Sequence, residues 1–104
     1  MALIVFVTAL KKEAHFLAEL LLKERLCACV NVVEGITSYY WWDNRINKDK
    51  EALLIIKTTP GNYKRLEKAI KRNHSYEVPE IVAIKTDCIN GDYLKWLRKE
   101  TGYG

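Results

Sequence analysis

Four consecutive aromatic residues, Tyr39-Tyr40-Trp41-Trp42, run straight into Asp43-Asn44, and this stretch limits the possible folds more than any other. Asp and Asn both tolerate the positive φ that a tight two-residue turn demands, so a β-hairpin is expected to reverse here. Its arms, residues 28–42 and 46–59, are each more than twice the mean strand of about 6 residues. One small domain cannot cover that length. Alternation along a strand sends Tyr39 and Trp41 to one face and Tyr40 and Trp42 to the other, and each ring can bury ~150–250 Å². A free tip would expose an apolar patch as large as the ~300–600 Å² that bounds ordinary monomers. Another protomer is therefore expected to receive Tyr39, Tyr40, Trp41 and Trp42.

The rest of the chain alternates between strand and helix patterns. Residues 3–8 form a continuous apolar run with β-branched members, as in a strand buried on both faces. Over residues 11–25, Ala14, Leu17, Ala18 and Leu21 recur at helical spacing, although Leu10 and Lys11 leave the helix start poorly capped. Gly35 marks a bulge in the first hairpin arm. In the second arm Ala52, Leu54 and Ile56 face one way and Leu53 and Ile55 the other. Thr59-Pro60 opens a second helix with Thr59 as N-cap and Pro60 at the first helical position; Tyr63, Leu66 and Ile70 form its inner stripe and Asn73 ends it. Residues 74–80 form a connector, residues 81–86 a fourth strand, and Asn90 caps a last helix carrying Tyr93, Leu94, Trp96 and Leu97. The order βαββαβ plus α predicts one α+β domain over residues 1–104, a ferredoxin-like sandwich with a long hairpin and an extra C-terminal helix. Two helices cover one sheet face, yet three strands are apolar on both. An oligomer joined through the open face and the hairpin follows.

Composition narrows the function. Seventeen Lys and Arg against thirteen Asp and Glu give a net charge of +4, too modest to imply nucleic acid. The cluster Lys64, Arg65, Lys68, Lys71 and Arg72 reads as the solvated face of the second helix. No run approaches the ~20 apolar residues of a membrane span, and the apolar start lacks a secretion pattern, so a cytoplasmic protein is expected. Cys27, Cys29 and Cys88 are an odd count without a disulfide framework, and they read as buried thiols. Other users of this topology fail on their motifs. An RNA-binding domain needs exposed aromatics where this chain has Glu51-Ala52-Leu53-Leu54-Ile55-Ile56-Lys57-Thr58. An acylphosphatase-like enzyme needs a glycine-bearing loop where it has Thr8-Ala9-Leu10-Lys11-Lys12. Three scattered cysteines cannot hold a Cys₄ cluster. No nucleophile and base stand at catalytic spacing, so no enzyme is predicted.

The motifs Leu26-Cys27-Ala28-Cys29-Val30-Asn31, Ser38-Tyr39-Tyr40-Trp41-Trp42, Lys57-Thr58, His74-Ser75-Tyr76-Glu77-Val78-Pro79-Glu80 and Tyr93-Leu94-Lys95-Trp96-Leu97 resemble, in order and spacing, the CutA divalent-cation-tolerance proteins. The resemblance runs from about Leu3 to Glu100. It implies a ferredoxin-like protomer in a tight homotrimer, binding of Cu²⁺ or another divalent cation, and a role in metal tolerance. In the copper pattern of some bacterial members the ligands are a cysteine late in the first strand and two adjacent histidines before Tyr-x-x-Pro-Glu. Here those positions are Val7, Asn73 and His74, so only His74 is kept.

His74 is thus the candidate metal ligand, with Glu77 or Glu80 as oxygen donors, and a hydrogen-bonded structural histidine is the alternative. Lys57, Tyr76, Glu77 and Glu80 are candidates for a cleft between protomers. Lys57, in an otherwise apolar arm, needs an acidic partner or a ligand phosphate if buried. His15 is expected to face solvent. Two functions follow: a trimeric metal-responsive binding protein, or a trimeric signalling module that holds an anionic metabolite through Lys57, Lys11 or Lys12. Neither calls for nucleic acid or membrane.

Overall fold

The structure, a computed structural model, describes residues 1–102. Its elements are β1 (Leu3–Ala9), α1 (Lys11–Lys23), β2 (Cys29–Trp42), β3 (Arg45–Thr58), a 3₁₀ turn (Pro60–Asn62), α2 (Tyr63–Asn73), β4 (Ile81–Lys85) and α3 (Gly91–Thr101). The sheet order is β2-β3-β1-β4, with every neighbouring pair antiparallel. This is the ferredoxin-like α+β arrangement expected from the pattern.

Period-2 alternation divides the sheet into two faces. Val5, Val7, Leu54 and Ile56 point toward the helices and pack with Ala14, Leu17 and Leu21 of α1 and Leu66 and Ile70 of α2, all fully buried. On the opposite face Ile4, Phe6, Leu53 and Ile55 are only half buried, and Val82 and Ile84 are 50% and 53% exposed. Apolar side chains thus remain open on the face without the two main helices.

The hairpin overhangs this sandwich. Pairing of β3 with β1 stops at Ala52–Ala9, while β2 and β3 stay paired through Trp42–Arg45. The overhanging arms, from Ile36–Glu51 to the tip, extend roughly 20 Å at the usual strand rise, and the molecule measures 44 × 26 × 22 Å. Asp43 and Asn44 adopt φ of 54° and 61°, as the turn requires. Gly35, at φ 75°, lies in a bulge where Glu34 and Gly35 together stand opposite Ala52.

Two boundaries differ from the sequence expectation. Helix α1 ends at Lys23 because Arg25 turns left-handed, with φ 58°. The Leu26 amide donates to the Leu21 carbonyl and the Arg25 amide to the Leu22 carbonyl, both at 3.0 Å, which is the Schellman closure. Glycine usually takes this position; here the Arg25 guanidinium is held by Glu100 at 2.8 Å. At the second boundary, Thr59-Pro60 starts a 3₁₀ turn before α2. The Thr59 hydroxyl accepts from the Asn62 side chain at 2.8 Å and leaves the helix amides uncapped. Elsewhere the caps match: Leu10 provides none for α1, and Asn90 Oδ1 accepts from the Tyr93 amide at 3.0 Å for α3.

Candidate functional site

The bulge decides which aromatic rings meet the connector. Before it, Asn31 and Val33 stand opposite Ile55 and Leu53 on the open sheet face; after it, Ile36 stands opposite Glu51. The extra residue changes parity, so Ser38, Tyr40 and Trp42 share the face of Glu51 and Asp49, while Tyr39 and Trp41 turn to the other. The connector, residues 74–80, passes beside Glu51. Tyr76 donates its hydroxyl to Glu51 Oε2 at 2.5 Å, and Tyr40 donates to Asp49. Between hairpin and connector lies a groove of about 820 Å³, walled by Tyr40, Trp42, Tyr76 and Pro79, with Glu51, Glu77 and Glu80 among its lining and no lysine or arginine.

The groove is electrostatically one-sided. Burial and the neighbouring Glu51 charge push the Glu80 carboxyl above its usual range. Burial, and then the hydrogen bond to Glu51, push the Tyr76 phenol up as well, so it stays a donor. Tyr40 is raised through its bond to Asp49.

The side chain of His74 is completely shielded from solvent. Its Nε2–H donates to the Thr8 carbonyl at 2.8 Å, and its Nδ1 accepts from the Tyr76 amide at 3.1 Å. Glu13 Oε1 stands 3.6 Å from Nδ1 and accepts from the Ser75 amide at 3.3 Å. Both ring nitrogens are therefore engaged in fixing the connector to the end of β1. Asn73 donates its amide to the Ala69 carbonyl at 2.8 Å, and Val7 is hydrocarbon in the core. These three positions do not fit a copper ion: one offers no donor atom, one amide is tied to its own helix, and one imidazole has no free nitrogen. Among the described residues, no three His, Cys, Asp or Glu side chains group closely enough to hold a metal.

The structure gathers Tyr76, Glu77 and Glu80 with Tyr39, Tyr40, Trp41 and Trp42 at one groove. It places Lys57 elsewhere, six residues beyond Glu51 and roughly 20 Å along β3. Lys57 is half buried on the open face beside Ile4 and Cys29, and it forms no ion pair among the described residues. His15 is exposed and bonded to Glu34 at 2.6 Å, with Lys11 3.5 Å from the same carboxylate. Of the cysteines, only Cys27 is fully buried, and burial pushes its thiol to about 12; Cys29 is half buried and Cys88 exposed, so the expectation of three buried thiols is corrected. Sequence reasoning missed Glu51 and Asp49. Their signal was present as two acids two apart where the apolar alternation of β3 begins, on the face that the bulge assigns to Tyr40.

Fold and site together define a class: ferredoxin-like α+β proteins with an overhanging β2–β3 hairpin and an acidic, aromatic groove at its root. Within that class the chain belongs to the CutA1 divalent ion tolerance protein family, whose sequence profile matches residues 3–100. A relative named divalent-cation tolerance protein CutA, from Thermus thermophilus, is 44% identical over 95% of this chain and 97% of its own. Protein CutA 1, chloroplastic, of rice is also 44% identical over 96% of this chain, but the match spans only 57% of that relative's length. Among solved structures, the Thermus thermophilus protein superposes with a TM-score of 0.94 at 43% identity, covering 98% of this chain and all of that one. A periplasmic divalent cation tolerance protein CutA from Archaeoglobus fulgidus also gives 0.94, at 31% identity over 97% and 99% of the two chains. The Thermus thermophilus and Archaeoglobus fulgidus relatives are named for tolerance of cations, not for a reaction. No helix among the described residues is long and apolar enough to cross a membrane.

Proposed function

We propose that the protein acts in the response to divalent cations as a cytoplasmic, non-catalytic homotrimer that binds Cu²⁺ or another divalent cation at the groove. The carrying observation is the groove that gathers Glu51, Glu77 and Glu80 on one lining, where burial and the Glu51 charge raise the Glu80 carboxyl and a bound cation would offset the negative charge. Donors from a neighbouring protomer would complete its coordination. Family membership supports the ligand class, the open apolar sheet face supports the oligomer, and three unpaired cysteines support a reducing compartment. Calorimetric titration with Cu²⁺ and Zn²⁺, with the mass checked by light scattering, tests this reading. Glu51→Gln and Glu80→Gln are expected to weaken binding at least about tenfold, and His74→Ala to leave it largely intact. Binding lost in His74→Ala but kept in both glutamine variants would return the site to the imidazole.

A second reading places an anionic metabolite at Lys57, favoured by the half-buried ammonium without a carboxylate partner among the described residues. Saturable binding of inorganic pyrophosphate that disappears in Lys57→Met would move the function there.

A further inference from the structure

We propose that the same groove takes an organic dication, a short alkyl diammonium ion. This rests on the reading of the groove as a cation site but not on the cation being a metal. A groove of about 820 Å³ falls in the size range of small-molecule sites. Its walls alternate two chemistries. Tyr40, Trp42 and Tyr76 offer aromatic rings, whose negative faces attract an ammonium group while shedding little of its alkyl chain into water. Glu51, Glu77 and Glu80 supply charge, and Val78 and Pro79 offer apolar contact for methylenes. On the other face of the same hairpin the Lys48 ammonium sits 5.8 Å from the centre of the Tyr39 ring, a contact of the same kind.

A compact metal ion needs several donor atoms converging on one point. In this protomer Glu51 is already shared with the Tyr76 hydroxyl, and no three His, Cys, Asp or Glu side chains among the described residues converge closely enough to hold a metal. An extended diamine suits that spread, since each ammonium needs only one carboxylate and the chain between them lies against rings. The raised Glu80 carboxyl marks negative charge that no lysine or arginine in the groove offsets.

The test is calorimetry, with tryptophan fluorescence as second readout, on the EDTA-treated oligomer titrated with 1,4-diaminobutane, 1-aminobutane and 1,4-butanediol, and separately with Zn²⁺. The diamine is expected to bind saturably, the monoamine at least about tenfold more weakly, and the diol not at all. Trp42→Leu should weaken the diamine and leave Zn²⁺ unaffected; Glu77→Gln, at an exposed side chain that leaves the fold unstrained, should weaken the diamine as well. A diamine that binds no better than the monoamine, or equally well in both variants, overturns the inference. Zn²⁺ binding without diamine binding overturns it while leaving the metal reading intact, and diamine binding without Zn²⁺ supports it and removes the metal reading.

Discussion

At the scale of single residues, Glu80 carries a consequence for pH. Its carboxyl titrates higher in the folded protein than the usual 4.5 because burial and Glu51 disfavour the charge. A group raised by folding adds stability as pH falls through the folded value, and its ionised form opposes the fold above it. Glu80→Gln is therefore expected to raise the guanidinium midpoint at neutral pH, with the gain shrinking toward about pH 4 as wild-type Glu80 takes up its proton. A gain of equal size at both pH values would rule out titration of this carboxyl as the cause. Cation binding should weaken over the same descending range. Residue identity alone carried part of this. His74 could be picked out as the one histidine beside the connector motif, but the Thr8 carbonyl and Tyr76 amide that close its two nitrogens are backbone groups, and no side-chain pattern encodes them. Arg25 in a left-handed conformation was equally illegible, because the usual signature there is glycine.

Among elements, the hairpin was the most legible, since Asp43-Asn44 and Gly35 each announce a backbone conformation that few residues adopt. The Thr59 cap misled because its hydroxyl found the Asn62 amide, a local competition that helix rules do not resolve. The contact between hairpin and connector was hidden for another reason: Glu51 and Tyr76 are 25 positions apart, and only the folded register brings them together. Gly35 lies in the bulge after which Tyr40 and Trp42 share the face of Glu51. Gly35→Ala meets no atom within 4 Å, so its penalty is confined to the backbone, roughly 1–2 kcal/mol for an L-residue held at φ 75°. Deleting Gly35 should do something different. It leaves Glu34 alone opposite Ala52, so Ile36 stays opposite Glu51, Tyr40 and Trp42 keep their face, and only the kink and its added twist are lost. Ligand heat is expected to survive in both variants; its loss in the deletion alone would show that the kink, not the facing of the rings, shapes the groove.

For the whole molecule, the question is what covers the tip. Tyr39 and Trp41 are 67% and 71% exposed, whereas Tyr40 and Trp42, which wall the groove, are 41% and 48% exposed. The outer pair is the natural anchor in a neighbour, contributing on the order of 5 kcal/mol per protomer by area. Replacing both Tyr39 and Trp41 with serine should shift the light-scattering mass toward that of a single chain, while circular dichroism stays native; an unchanged mass would remove the tip from the assembly. The sheet order has one more consequence, for the cell that makes this chain. Strand β2 is outermost, so a newly released protomer presents fourteen residues of backbone with one side unpaired, carrying a single charge, Glu34. Such a margin is a template for promiscuous strand addition. Glu34 and the kink at Gly35 interrupt it midway, cutting one long adhesive ribbon into two short ones, so the bulge also acts as a gatekeeper against aggregation before assembly.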